Sequence, residues 1–195
     1  VPVPAPGTTP ASAPWFIGGI SGVTFGTAMS SAVAGQFGIG IRPNLFVIGE
    51  VGRMQNVMPK DIRDQLDDAV DELEATSGLP VTVELSLPAT YGFGGVRWVS
   101  LGQIAPFIEA GAGVGHIALN VKRAQVLGQD FTDEIKDELG SDASETKFLF
   151  AVGGGVTASL GRATSIDAGY RFTRIETEGP AINASMLYVG IKVRR

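Results

Sequence analysis

The stretch Asp167-Ala168-Gly169-Tyr170-Arg171-Phe172-Thr173 near the end of the chain decides the fold. Successive side chains of a β-strand point to opposite faces, so these residues separate into two sets. One face is charged or small and includes Asp167 and Arg171. The other face is apolar and aromatic and includes Tyr170 and Phe172. The fold class depends on which face points inward, because apolar side chains fill a water-soluble barrel but face lipid on a membrane barrel.

The overall composition excludes several classes of function. The chain has 195 residues, which is enough for one domain or one closed barrel, and a net charge of −5 argues against nucleic acid as a partner. The absence of cysteine excludes disulfides and thiolate metal sites. No apolar run reaches the roughly 20 residues of a membrane-spanning helix, whereas membrane strands give a weaker signal that the sequence leaves open.

The N-terminal segment differs from the rest of the chain. Residues 1–14 contain five of the eleven prolines, which favour extended polyproline II and cannot join a sheet interior. We therefore expect residues 1–14 to form a semi-rigid periplasmic tether and residues 15–195 to form the folded unit. The chain starts at Val1 without a signal region, which is compatible with a removed leader.

Period-two patterning predicts eight strands joined by mostly tight connections. Sequential antiparallel pairing is the simplest topology for such a series, and eight strands can close so that no edge remains exposed. Pro88 predicts that the first part of the fourth strand is irregular or projects beyond the sheet. The fold class is therefore all-β, an eight-stranded antiparallel up-and-down barrel. The predicted strands are 15–26, 32–41, 45–54, 81–99, 106–120, 146–160, 164–176 and 183–194.

Two insertions interrupt the strands and contain helical patterns. Residues 59–76 form a predicted amphipathic helix with Pro59 at its first position, and residues 132–139 form a shorter one. Residues 56–80 carry two basic and seven acidic side chains and have a net charge of −5; residues 121–145 carry three basic and seven acidic ones and have a net charge of −4. The acidity of the chain therefore belongs to the insertions. Their apolar stripes are Ile62, Leu66, Val70 and Leu73 in the first helix, and Phe131, Ile135 and Leu139 in the second.

The charged residues within the strands indicate which face points inward. Each lies opposite a run of apolar residues, and the equal number of acids and bases is what pairing in a narrow lumen requires. An outer wall with so few charges would be sparse for a solvated surface. We therefore predict a transmembrane barrel with these residues as an interior ion-pair network: Glu50, Arg97, Glu109, Asp167, Arg171 and Lys192. Aromatic residues near strand ends are expected in interfacial girdles: Trp15, Phe16, Trp98 and Phe148.

The lengths of the connections alternate along the chain. The predicted connections 42–44, 100–105 and 161–163 are short and lie at one end, whereas the two acidic insertions lie at the other. Short periplasmic turns and long extracellular loops are the arrangement of outer-membrane barrels. We therefore expect both helices to lie in extracellular loops.

The last strands, with residues 166–172 followed by 187–193, resemble the closing hairpin of OmpA-like small outer-membrane β-barrels. Residues 106–115, PFIEAGAGVG, resemble the glycine-rich fifth strand of that group. The resemblance implies an eight-stranded barrel in the bacterial outer membrane, in contact with lipid and lipopolysaccharide, with a plugged polar interior. Such barrels usually end in an aromatic residue, and the sequence departs from this with Arg194-Arg195.

No catalytic set or metal site can be assembled from the sequence. Lipid-deacylating barrel enzymes use a His-x-Ser pair, but the residue two positions after His116, the only histidine, is Ala118. No stretch has the spacing of a calcium-binding loop. We therefore expect no enzymatic activity, no cofactor and no metal.

The expected function is structural or interactive, through the acidic helical loops. The two apolar stripes either pack on each other over the barrel mouth or bind a protein of the cell envelope, and the N-terminal tether is a second candidate contact. Two alternatives stay open from the sequence. One is a soluble, lipocalin-like barrel with an apolar ligand, and the other is a narrow pore for ions or small solutes.

Overall fold

The chain, analysed as a computed structural model, folds into a closed barrel with an extension at one end. The structure describes residues 14–27, 29–126, 129–130, 144–161 and 163–195. Its elements are β1 (Trp15–Phe25), β2 (Ser30–Arg42), β3 (Leu45–Met54), α1 (Lys60–Ser77), β4 (Val81–Ser86), β5 (Ala89–Val99), β6 (Ile104–Ala118), β7 (Asn120–Val126), β8 (Gln129–Asp130), β9 (Ser144–Ser159), β10 (Thr164–Ile175) and β11 (Ile182–Arg194).

Eight strands close the barrel in the order β1-β11-β10-β9-β6-β5-β3-β2, and every neighbouring pair is antiparallel. The first and last strands pair along their length, from Phe16 opposite Arg194 to Phe25 opposite Ser185. The seam continues at its end, where the Arg195 N–H donates to the Trp15 carbonyl oxygen at 3.0 Å. This confirms the predicted eight-stranded antiparallel fold, and closure satisfies the backbone groups that an open sheet would expose.

The barrel has two different ends. The turn rim carries the connections 43–44, 100–103 and 160–163, together with residues 14 and 195. The loop rim carries the connections 26–29, 55–88, 119–143 and 176–181. The alternation of short and long connections that the sequence indicates is therefore present, and both acidic insertions emerge from the loop rim.

The outward face of the barrel between the rims is apolar on every strand. Side chains such as Ile17, Val51 and Val189 are more than half exposed there. Charged residues on this face lie only at strand ends, with Arg53 and Arg174 at the loop rim. A continuous apolar belt of this kind far exceeds the apolar patches on water-soluble proteins. The barrel is therefore a membrane-spanning one, with its apolar face toward lipid.

The aromatic girdle is present at the turn rim, with one correction. Trp15 and Trp98 are 37% and 40% exposed and lie at the turn-rim ends of β1 and β5. Phe16, by contrast, is only 6% exposed, so its predicted place in the girdle is wrong. Its position in β1 turns it inward, where its ring packs over the Lys192 ammonium at 4.4 Å. The alternation of inward and outward side chains along β1, rather than closeness to the strand end, therefore decides where Phe16 lies.

The first insertion contains the predicted helix, shifted by one residue. α1 begins at Lys60, and Pro59 is its N-cap rather than its first helical residue. Gly78 ends the helix in the left-handed conformation, with its N–H donating to the Glu74 carbonyl oxygen at 2.8 Å. No helix among the described residues is long and apolar enough to cross a membrane.

The predicted fourth strand, 81–99, is two strands. Pro88 separates β4 from β5, and β4 leaves the barrel to pair with β7, from Val81 opposite Val126 to Ser86 opposite Asn120. With β8 these strands form a small three-stranded sheet. The sequence signal of Pro88 thus marks a strand that projects beyond the barrel, whereas β7, at the start of the second insertion, was not predicted. The predicted helix 132–139 lies outside the described residues.

The half of the lumen next to the loop rim is filled by apolar side chains. Met54, Val57 and Leu149 are at most 1% exposed there. Val57 belongs to the segment between β3 and α1, and its N–H donates to the Leu87 carbonyl oxygen at 2.7 Å. Asn56 fixes the same segment because its Oδ1 accepts from the N–H groups of Met58 and Leu87, at 3.1 and 3.0 Å. The segment 55–58 therefore closes this end of the lumen.

Candidate functional site

All six charged residues predicted to line the lumen do so. Each is at most 6% exposed and points inward from its strand. They divide into two clusters, one at the centre of the barrel and one toward the turn rim. The central cluster comprises Glu50, Glu109 and Arg171, and the turn-rim cluster comprises Arg97, Asp167 and Lys192.

Arg171 holds the central cluster together. Its guanidinium contacts both carboxylate oxygens of Glu50, with Nη2 at 2.8 Å from Oε2. It also donates to Glu109 Oε1 from Nη2 at 2.6 Å and from Nε at 3.0 Å. The Tyr91 hydroxyl donates to Glu50 Oε1 at 2.9 Å and the Tyr188 hydroxyl to Glu109 Oε1 at 3.3 Å. One cation thus bridges two carboxylates, and the cluster has a net charge of −1.

The turn-rim cluster has the opposite balance. Asp167 Oδ2 accepts from Arg97 Nη2 at 2.5 Å and lies 2.6 Å from Lys192 Nζ. Its other oxygen, Oδ1, accepts from the Thr157 hydroxyl at 2.7 Å. Two cations therefore share one carboxylate oxygen, and this cluster has a net charge of +1.

Gln36 joins the two clusters. Its amide nitrogen donates to Glu50 Oε2 at 2.9 Å, and its amide oxygen accepts from Arg97 Nη1 at 3.2 Å. Arg97 Nη1 also lies 3.5 Å from Glu109 Oε2, a buried oxygen without a hydrogen-bond partner among the described residues. Gln36 is not among the residues predicted from the sequence to form the network. Its signal was available, because it is the one amide among the small residues on the inward face of β2.

Aromatic rings and glycines line the rest of the lumen in cross-strand pairs. Tyr91 lies opposite Gly52, and a Cβ at that glycine would stand 2.6 Å from Cζ of the Tyr91 ring. Tyr188 lies opposite Gly169 in the same way, with 2.8 Å to its Cζ. The inward glycines therefore leave space for the tyrosine rings that pack against them from the neighbouring strand. The rings in turn contact the cations, and the shortest such distance is 3.5 Å from Arg97 Cζ to the Phe107 ring centroid.

These contacts make the interior a neutral plug. The two clusters balance each other in charge, and their side chains cross the lumen rather than line its wall. The apolar loop-rim half lies above them. An interior with six buried charges leaves no place for an apolar ligand, so the lipocalin-like alternative does not fit. A barrel of eight strands is just wide enough to be filled by side chains in this way.

The predicted loop surface is described only in part. On α1, Ile62 is 48% exposed, and Leu66 and Val70 are partly buried. The side chain of Leu73 lies outside what the structure describes, and so does the whole second stripe of Phe131, Ile135 and Leu139. The predicted packing of one stripe on the other therefore stays a prediction.

An exposed ion pair joins two segments at the loop rim. Lys147 Nζ lies 2.8 Å from Glu178 Oε1 and 3.3 Å from Glu145 Oε2. The hydrogen bond from Lys147 and its positive charge lower the pKa of Glu178 below its ordinary value. Because Glu178 is exposed, solvent screens this interaction, and the pair adds little to stability.

His116, the only histidine of the sequence, lies at the loop rim and not in the charged interior. His116 is exposed at the loop-rim end of β6, and its Nδ1 lies 3.0 Å from the Thr146 hydroxyl. Within the described ranges, no three His, Asp or Glu residues are grouped as metal ligands would be.

The closed eight-stranded barrel, with an apolar outer face and a charged interior, has the fold of small outer-membrane β-barrels. No family model and no curated protein matches the sequence. Among solved structures, the chain is similar to Neisserial surface protein A, with 12% identity, a TM-score of 0.59, and 94% of this chain and 97% of that one covered.

Two further structures show the same likeness. The N-terminal β-barrel domain of OprF from Pseudomonas aeruginosa has 10% identity and a TM-score of 0.59, over 94% of this chain and 98% of that one. The attachment invasion locus protein Ail of Yersinia pestis has 12% identity and a TM-score of 0.51, over 95% of this chain and 100% of that one. At these identities the likeness concerns the fold.

Proposed function

We propose that the protein is a non-enzymatic barrel of the bacterial outer membrane that acts through its acidic loop surface. The turn rim faces the periplasm and the loop rim faces the outside. The single observation that carries the proposal is the separation of charge. Acidic side chains are concentrated on an element outside the barrel, whereas the charges inside are neutralised by each other.

The plugged interior supports a structural rather than a transport role. The central and turn-rim clusters occupy the lumen, and the segment 55–58 closes it at the loop rim. Passage of a solute would require several buried ion pairs to separate at once. Removing one partner of a buried ion pair typically costs about 3–5 kcal/mol.

The exposed face of α1 is the proposed contact surface. The exposed acids Asp64, Asp67, Asp68 and Asp71 lie on it, whereas Ile62 lies in the apolar stripe on the other side of the helix. An acidic face is complementary to a basic surface. The partner class is therefore a basic protein surface of the cell envelope, or lipopolysaccharide phosphates bridged by divalent cations.

Photo-crosslinking in intact cells tests this proposal. A photoreactive amino acid at Asp64 is expected to give a discrete crosslinked product, and the triple change of Asp67, Asp68 and Asp71 to Asn is expected to remove it. The matched control changes the same three residues to Glu and keeps the charge, so it retains the product. Equal crosslinking in the Asn and Glu variants contradicts a role for the acidic face.

Divalent cations separate the two partner classes. A product that contains lipopolysaccharide and disappears with a chelator indicates cation bridging. A protein product that survives the chelator indicates direct contact with a basic surface. The absence of any product at Asp64, with normal surface exposure of α1, contradicts the proposed contact surface.

A further inference from the structure

A cavity at the turn rim leads from the surface to the turn-rim cluster. Its volume is about 270 Å³, and it extends from Pro14 and Arg194 at the surface to Arg97 and Lys192 inside. None of the described residues that line it is acidic. Asp167 lies behind the two buried cations rather than in the wall.

The balance of charge around this cavity is positive. Lys192 and Arg97 share a single oxygen of Asp167, and Arg97 also lies 3.5 Å from Glu109 Oε2 of the central cluster. Arg194 adds a third positive charge at the surface end. The compensating negative charge inside the barrel belongs to the central cluster, where Arg171 is already bound to both Glu50 and Glu109. The charged side chains that line the cavity are therefore positive, and the carboxylates that balance them lie behind Arg97 and Lys192.

The hydroxyl-bearing residue Ser165 lines the same cavity. Ser165 is only 4% exposed, and its hydroxyl makes no hydrogen bond with the described residues. Ser165 lies directly opposite Lys192 in the pairing of β10 with β11. A hydroxyl at this position and the ammonium group on the neighbouring strand can both donate to one ligand in the cavity.

We propose that this cavity binds a phosphate group. An ammonium, a guanidinium and a hydroxyl in a partly apolar cavity supply the charge-assisted donors that an oxyanion requires. The volume holds a phosphate and several waters, at about 30 Å³ for each water. Trp15, which also lines the cavity, belongs to the aromatic girdle, and such girdles lie at the depth of lipid headgroups. The phosphate comes either from a phospholipid headgroup or from free phosphate in solution.

The first experiment measures inorganic phosphate binding to the full chain in a non-ionic, phosphate-free detergent. Isothermal titration calorimetry at constant ionic strength, with chloride as the comparison anion, is expected to show one saturable site. Lys192→Gln is expected to weaken binding about tenfold or more, because a charge-assisted hydrogen bond is lost. Ser165→Ala is expected to weaken it a few-fold, and because the change removes none of the buried charges, this variant keeps the fold.

The matched control is Lys147→Gln, which removes a cation from the loop rim. It is expected to leave phosphate binding unchanged. A response to phosphate no larger than the response to chloride overturns the proposal. So does an equal loss of binding in Lys147→Gln and Lys192→Gln, because that result indicates general charge screening rather than a site.

Native mass spectrometry identifies the source of the phosphate. In detergent doped with phosphatidylglycerol, retention of one lipid by the native chain but not by Ser165→Ala supports a headgroup in the cavity. Phosphate binding without lipid retention supports the free ion. If the chain shows no phosphate binding and retains no lipid, the proposal is overturned. This outcome is independent of the loop crosslinking, which concerns the opposite rim.

Discussion

Arg171 on β10 and Glu50 on β3 are joined across the full width of the barrel. Their strands lie four places apart in a ring of eight, and Arg171 Nη2 reaches Glu50 Oε2 at 2.8 Å. The same guanidinium holds Glu109 on β6 at 2.6 Å. One side chain therefore ties together three separate parts of the wall, which makes Arg171 the residue on which the interior depends most.

Replacement of Arg171 by Met is expected to destabilise the barrel strongly. It leaves Glu50 and Glu109 as buried carboxylates without their cation, and such a loss typically costs about 3–5 kcal/mol. Urea unfolding in detergent measures the change. Arg171→Met combined with Glu50→Gln and Glu109→Gln is expected to recover much of the loss, because no unpaired charge remains. A triple variant less stable than Arg171→Met contradicts this explanation.

The plugged lumen predicts no steady conductance in planar lipid bilayers. The six charges neutralise each other within the lumen, and the apolar half at the loop rim adds a region without polar groups. Single-channel recording of the refolded chain is expected to give a flat baseline. Large and stable open levels at low voltage contradict the plug and favour the pore alternative.

Two glycines on the same strand are predicted to respond in opposite ways. A Cβ at the inward Gly52 would stand 2.6 Å from the Tyr91 ring, whereas a Cβ at the outward Gly49 meets nothing within 4 Å. Gly52→Ala is expected to lower the free energy of unfolding by about 1–3 kcal/mol through overpacking. Gly49→Ala is the matched control and is expected to cost nothing. Equal effects of the two changes contradict the assigned inward and outward faces.

The loop-rim seal is predicted to depend on Asn56. Its Oδ1 accepts two backbone N–H groups, so Asn56→Ala leaves both without a partner, at a cost of about 1–3 kcal/mol. Asn56→Asp keeps the acceptor and is expected to keep most of the stability. Hydrogen exchange at the Leu87 amide measures the effect locally. Unchanged protection in Asn56→Ala contradicts the anchoring role.

The barrel and its interior could be predicted from the sequence because strand alternation encodes both. A single inward position such as Arg97 or Lys192 is recognisable from its apolar neighbours on either side. The partners of each charge could not be predicted in full. Arg171 and Glu50 are 121 residues apart in the sequence, and their contact depends on strand order and register. The pairing of Asp167 with both cations has the same origin.

The loop structure was less predictable for a different reason. A strand outside the barrel does not have one face toward lipid and the other toward the lumen. The sequence of β7 therefore does not need the alternation of apolar and polar residues by which the barrel strands are recognised. The misplacement of Phe16 shows the limit of using position alone. Near a strand end, the alternation of inward and outward positions decides whether an aromatic side chain meets the lipid interface or fills the lumen. Phe16 is four residues before Ile20 and points inward with it.

The central claim is that the apolar face meets lipid and the charged face fills the lumen. Because the 195 residues include no cysteine, a single cysteine can carry a spin label at Val47 or Val189, which point outward on opposite parts of the barrel. Electron paramagnetic resonance in lipid bilayers is expected to show both labels more accessible to oxygen than to a water-soluble nickel chelate. A label at Asp64 on α1 is the aqueous control and shows the reverse. Greater access of the nickel chelate than of oxygen at both Val47 and Val189 would contradict a membrane-spanning barrel.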